Sequence, residues 1–244
     1  MSNKPLLPTE KKELVEYLRQ LNQNEFSQLN LSGMDLSGLD LSGIDFSGVR
    51  FERTNLRDSN LEKCGFVCAN LTEANLKRTN LKEANLQGAL LTQVNLVEAN
   101  LSHANLEAAN LRGANCWRTI AQKAIFEMVK ANASTFLEAD LTGAYLEGAD
   151  FRWVNAQSAK FDKAILIEVN FERANLRSCS FRSAILDKAN IRGAVLTGAD
   201  LFHAKMSETL MSGCLLRDAN IEGTEVTAAQ LDTALKAPNK KTIQ

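Results

Sequence analysis

Long apolar runs are missing from this sequence, and so is any excess of charge. No stretch approaches the roughly 18 apolar residues of a membrane-spanning helix, which excludes a helical membrane anchor within the sequence. The opening MSNKPLLPTEKKELVEYLRQ lacks the apolar core of a signal peptide, so a soluble, cytoplasmic protein is expected. With 28 basic and 29 acidic residues the chain is neither a polycation suited to nucleic acid nor a strongly acidic imitation of it. Histidine is scarce, at His103 and His203 only. No phosphate-binding glycine loop, GxSxG, HExxH or paired CxxC occurs, so an enzyme is not expected, and neither is a bound metal or cofactor.

What the sequence does have is a period. Stepping by five from Phe26 through Leu31, Leu36 and Leu41 to Ile221 and Val226 meets 41 positions, all apolar. At 45% apolar content, chance would give that run with a probability on the order of 10⁻¹⁴, so the repeat outranks every other signal. Ten of the eleven phenylalanines occupy this frame, Phe202 being the exception. Two residues before most centres stands a small side chain, as at Ala69, Ala74, Thr79 and Ala84. Between them Asn or Asp is frequent, as at Asp35, Asn75, Asn100 and Asp200.

A helix cannot use this period, because five residues rotate by about 500° and the centres would wander round its axis. A continuous strand cannot either, because an odd step inverts the face. A very short strand plus a turn in each unit satisfies both positions at once: the centre and the small residue two before it point inward, and the turn restores the phase. Asn and Asp beside the turn can bond local backbone, and Gly33, Gly38, Gly43 and Gly48 suit a turn position with positive φ.

The units ANLTE, ANLKR, ANLQG, ADLTG and ANLRG resemble the pentapeptide-repeat family, whose motif is A(D/N)LXX, over about residues 25–226. The resemblance implies an all-β solenoid, a right-handed quadrilateral β-helix of about ten coils with four units to the coil. Residues 20 apart would then stack at about 4.8 Å. Phe26, Phe46 and Phe66 should form one internal ladder, Phe151 and Phe171 a second, Phe161 and Phe181 a third. His103 and His203, five coils apart, would be separated by about 24 Å and could share neither a metal nor a proton relay.

Both ends carry helix signals. Residues 1–24 are expected to supply an N-terminal cap: a helix over about 10–21, N-capped by Thr9, with Leu14, Val15, Leu18 and Leu21 on one face. The repeat proper spans 25–226, and 227–244 is read as a C-terminal capping helix and tail. There Thr227 and Gln230 form a capping-box pattern, Leu231 and Leu235 follow, Pro238 is a stop and 239–244 should fray. Residues 116–136 keep the frame with weak centres at Cys116, Ala121 and Ala131, which fits either an ordinary but thinly packed coil or a 20-residue excursion that preserves the phase; the small inward residues Thr119, Ala124, Val129 and Ser134 favour the coil. Cys64, Cys179 and Cys214 take small inward places, Cys116 a centre, and only Cys68 should face outward. No two cysteines are 20 apart, which suits a reducing compartment.

With the interior assigned, outward residues read in steps of 20 give columns down the rod. One column is unusual. Ile125, Tyr145, Ile165 and Ile185 occupy the place just before a centre where Asn or Asp is usual, and beside them run Glu107, Glu127, Glu147, Ile167 and Asp187. An apolar stripe beside an acidic one invites a protein partner, although β-branched ladders also stabilise a sheet for its own sake. A second strip, Val97, Trp117 and Leu137, adjoins the weak coil and is read as its cover. The leading expectation is a non-enzymatic scaffold, monomeric because helices cover both ends, that binds another protein through the first stripe and binds neither nucleic acid nor membrane. The alternative drawn from the resemblance is a protector of DNA gyrase of the quinolone-resistance type that imitates DNA, for which a near-neutral rod is poorly charged.

Overall fold

The computed structural model describes residue 8 and residues 10–21, 23–26 and 28–234. Every fifth residue from Asn30 to Asp200 makes a parallel bridge with the residue 20 later, from Asn30 with Arg50 to Asp200 with Asn220. The bridges fall into four ladders, so one circuit of the chain takes four units. The short strands expected from the repeat contract to single bridged residues, because the second residue after each centre is left-handed. That is so for Gly38 (φ 70°) and equally for Arg53 (φ 58°) and Trp153 (φ 55°).

The repeat accounts for every backbone N–H of a unit, as the unit beginning at Phe151 shows. Phe151 and Trp153 donate to the Asn170 and Glu172 carbonyls of the next coil at 2.8 and 3.0 Å, Val154 closes the turn onto Phe151 at 3.3 Å, and Asn155 donates to Ser134 of the coil before at 3.0 Å. The remaining donor, Arg152 N–H, is taken by the Asp150 side chain at 3.2 Å. That last bond gives a physical reason for Asn or Asp just before the centre: its side chain closes an Asx turn over a group that the ladder leaves open. These side chains also bond one another between coils, as Asn75 to Asn55 and Asn95 to Asn75, both at 3.2 Å.

Centres from Phe26 to Met211 are buried, and from Ile44 onward so are the residues two before them, whereas Met34 and Leu39 in the first circuit are only partly buried. The three phenylalanine ladders are present: Phe26, Phe46 and Phe66 lie 5.5 Å apart ring to ring, Phe151 and Phe171 5.6 Å, and Phe161 and Phe181 stack at 5.0 Å. Buried Thr54 and Thr79 hydroxyls donate to the Leu31 and Leu56 carbonyls at 2.8 and 3.0 Å. Cys64 and Cys179 make the same bond through sulfur, to Leu41 and Ala156, at 3.0 and 2.9 Å. Residues 116–135 form a regular coil with its bridges intact and its small centres fully buried. Phe136 reaches Phe126 and Phe151, at 6.3 and 5.1 Å.

Helix α1 spans Lys11–Gln20, α2 Gln23–Phe26 and α3 Ala228–Thr233. Leu14 and Leu18 of α1 join the core, while Val15 and Leu21 are only partly buried against it. The N-cap position is Glu10, whose side chain makes no capping bond; the expected cap Thr9 lies outside the described residues. The expected capping box is present, Thr227 accepting from Gln230 N–H and Gln230 accepting from Thr227 N–H. α3 has no buried residue. It lies along the last coil, held by Gln230 Nε2 on the Met206 and Thr209 carbonyls at 3.2 Å and by Gly213 N–H on Thr233 at 2.9 Å. Leu216, Ile221 and Val226 accordingly remain partly buried. Leu235, Pro238 and 239–244 lie outside the described residues.

Candidate functional site

The expected apolar stripe is a physical ladder. Consecutive bridges join Ile125 to Tyr145, Tyr145 to Ile165 and Ile165 to Ile185, with Asn105 before and Lys205 after. Each side chain points outward between two buried neighbours, and Tyr145 is 42% exposed. Along the adjacent column Glu147 is exposed, while Glu107, Glu127, Ile167 and Asp187 are half-buried. All nine residues named from the sequence therefore share one face.

This face departs from the repeat in its backbone chemistry. At Asn85 and Asn105 the side chain accepts the Gln87 and Glu107 N–H groups at 3.2 and 2.9 Å. Where isoleucine or tyrosine replaces Asn, no such acceptor exists, and the N–H groups of Glu127, Glu147, Ile167 and Asp187 make no hydrogen bond within the described residues. Four successive coils thus give up a local bond on the same face and gain outward apolar surface. A net hydrogen bond contributes about 0.5–1.5 kcal/mol where water is excluded, and less at a wet surface.

Charge differs from column to column. On other faces of the rod, charged residues 20 apart pair with opposite sign: Arg53 with Glu73 at 2.8 Å, Arg78 with Asp58 at 2.7 Å, Arg118 with Glu138 at 2.7 Å; at the corner that follows Ile167 and Asp187, Lys188 pairs with Glu168 at 3.8 Å. These pairs hold the Asp58, Glu73 and Glu138 carboxyls below their ordinary range. Glu107, Glu127 and Glu147 instead stack on one another. Gln87 donates to Glu107 at 2.9 Å, whereas Glu127 and Glu147 enter no ion pair among the described residues.

Sequence reasoning missed Met128, 62% exposed at the corner beside Glu127. Its sulfur lies over Gly148, 2.7 Å from where a Cβ would stand. Reading the corner positions in steps of 20 would have found it, since it is an apolar residue at a place mostly held by Gly and polar residues. Of the second strip, Val97 is buried and Trp117 and Leu137 are half-buried, with the Arg118 guanidinium 4.7 Å above the Trp117 ring. Trp153 is 48% exposed with Arg152 at 5.2 Å, and Leu90, Ile120 and Leu210 stand singly on other faces. Among the described residues no group of three or more His, Cys, Asp or Glu could hold a metal ion, and no helix is long and apolar enough to cross a membrane.

Known proteins match this architecture. The pentapeptide repeats family matches in 8 copies over residues 25–63, 69–107, 99–136, 134–173, 164–201 and 194–231. Among solved structures the chain is similar to HetL, a pentapeptide repeat protein involved in heterocyst differentiation regulation from the cyanobacterium Nostoc sp. strain PCC 7120. Identity is 30% over 80% of this chain and 88% of that one, with a TM-score of 0.52. Rfr23 from the cyanobacterium Cyanothece 51142 is 22% identical over 54% of this chain and 90% of its own, with a TM-score of 0.39. A trypsin-treated form of QnrB1, a plasmid-mediated fluoroquinolone resistance protein, is 16% identical over 81% and 92%, with a TM-score of 0.35. Comparison with curated protein sequences returns no match. A repeat match over most of the chain, with HetL alongside it, makes this chain a member of the pentapeptide-repeat family.

Proposed function

We propose that this chain is a non-enzymatic, cytoplasmic scaffold that binds another protein through the face carrying Ile125, Tyr145, Ile165 and Ile185. In this reading it is a monomeric, right-handed, four-sided β-helix of about ten coils, capped by α1 at one end and partly covered at the other by α3, whose Leu231 packs against the core without being buried. The observation that carries the reading is the four-coil run in which an outward apolar residue displaces the Asx acceptor and leaves a backbone N–H open. Isolated surface apolar residues need no explanation, but a contiguous ladder obtained at the expense of local bonding does. The regulatory involvement of HetL supports a role without catalysis. The gyrase-protecting alternative needs a rod negative along its length, and the Arg53, Arg78, Arg118 and Lys188 pairs interrupt any such field.

Affinity capture from the native host with the wild-type chain and with Ile165→Lys, Tyr145→Ala and Ile165→Asn tests this function. Ile165→Asn restores the residue type that the repeat prefers, so its melting temperature is expected to stay within the change that about 1 kcal/mol produces, while capture falls. Undiminished capture by all three variants removes this face from consideration.

A further inference from the structure

The ladder spacing and the charge beside it restrict what can lie on this face. Bridged coils repeat at about 4.8 Å, so the three steps from Ile125 to Ile185 span about 14 Å. An α-helix laid along the rod returns a side chain to one face every turn of about 5.4 Å, slipping by about 2 Å over three steps. An extended strand in the same direction returns every second residue, about 6.6 Å, and slips by about 5 Å. A helix keeps step with all four rungs; a strand does not.

The flanks differ in sign. Two residues beyond the ladder stand Glu127 and Glu147, without ionic partners among the described residues; two residues before it stand Lys123 and Lys163, likewise outside every ion pair described. A second copy of this chain sets acidic column on acidic column when the rods run antiparallel; when they run parallel the acidic column meets the basic one, but the two-fold axis then lies along the ladder and Ile125, Tyr145, Ile165 and Ile185 each meet their own counterpart tip to tip instead of interdigitating.

Resting on the protein-binding role proposed for this face, we infer that its occupant is one amphipathic α-helix lying along the rod. Apolar residues at i, i+4, i+7 and i+11 meet the four rungs, and lysine or arginine on one flank meets Glu127 and Glu147.

The probe is a stapled helical peptide with leucine at those four positions, lysine on one flank and glutamate on the other. Its companion carries glutamate on both flanks. Fluorescence anisotropy is expected to show the lysine-bearing peptide binding at least about tenfold more tightly than its companion. Ile165→Lys should weaken that binding by about tenfold or more, the loss of one apolar anchor. The Glu127→Lys, Glu147→Lys double variant should weaken it similarly, while Leu90→Lys on another face leaves it unchanged. The inference is overturned if neither peptide binds, if both bind alike, if Ile165→Lys binds as well as wild type, or if sedimentation shows a dimer that Ile165→Lys dissolves. A host protein captured by wild type, lost on Ile165→Lys and not displaced by the lysine-bearing peptide overturns the helix while keeping the face. Capture indifferent to Ile165→Lys overturns the face itself.

Discussion

Left-handed backbone at Ala108, Ala133 and Trp153 shows a ladder overruling single-residue preference, since the fold asks for positive φ at every corner whatever stands there. An L-residue in this region carries about 1–2 kcal/mol of strain. Ala133→Gly removes it and gives back about 0.4–1 kcal/mol through the freer unfolded chain. The expected net gain is about 1 kcal/mol, read from the denaturation midpoint. Gly38→Ala should lose a comparable amount by strain alone, because nothing lies within 4 Å of the added carbon. The glycines at 33, 38, 43 and 48 announced this conformation in the sequence; tryptophan and methionine at equivalent corners gave no such sign, since only the hydrogen-bonded neighbours impose it. Cysteine placement was legible, because a thiol replacing threonine keeps the inward bond. Burial pushes Cys64 and Cys179 up to about 12 and Cys214 up to about 11, and Cys116 is raised for the same reason. Iodoacetamide at pH 8 should therefore modify one thiol, Cys68, in the native protein and all five in denaturant, counted by mass spectrometry.

Helix α1 is held by charge as well as by Leu14 and Leu18. Lys11 Nζ reaches the Ser37 carbonyl at 2.7 Å and Asp35 at 3.2 Å, and Arg19 reaches the Asp40 and Ser42 carbonyls at 3.2 and 3.3 Å. The Ser37 hydroxyl and N–H, with Lys11, bring Asp35 from its ordinary 3.8 down to about 2. A depressed carboxyl stabilises the fold fully above its unfolded value and loses that contribution as pH falls through the folded one. Melting of the α1 contact should thus become acid-sensitive between about pH 4 and pH 2. Asp35→Asn should flatten that dependence in circular dichroism, with a small amplitude because the pair is exposed and salt-screened. The apolar face of α1 was readable from spacing. Its start was not: Glu10 occupies the cap without making a capping bond, so the packing of Leu14 and Leu18 positions the helix.

Over the whole molecule each coil answers only to its neighbours, so the thinnest layer sets the local weakness. Cys116, Ala121 and Ala131 put small side chains where other coils bury leucine or phenylalanine. Amide exchange is expected to be faster in residues 116–135 than in residues 56–111, and uniform protection across both segments would contradict it. The stacking of the phenylalanines and of Ile125, Tyr145, Ile165 and Ile185 was legible once the family resemblance set four units to the coil, because the repeat of five and a coil of 20 then leave no freedom in which residues become neighbours. The open N–H groups beside that stripe were not, for they emerge only once the backbone shows which donor each Asn side chain serves. Since every centre from Leu31 to Leu201 donates to a carbonyl 19 positions onward, as Phe151 does to Asn170, the rod can grow or shrink by whole circuits and keep the contacts between them. One inserted residue that fails to bulge out as a loop would instead turn the interior of all later layers toward water, so length in this architecture comes in fixed denominations.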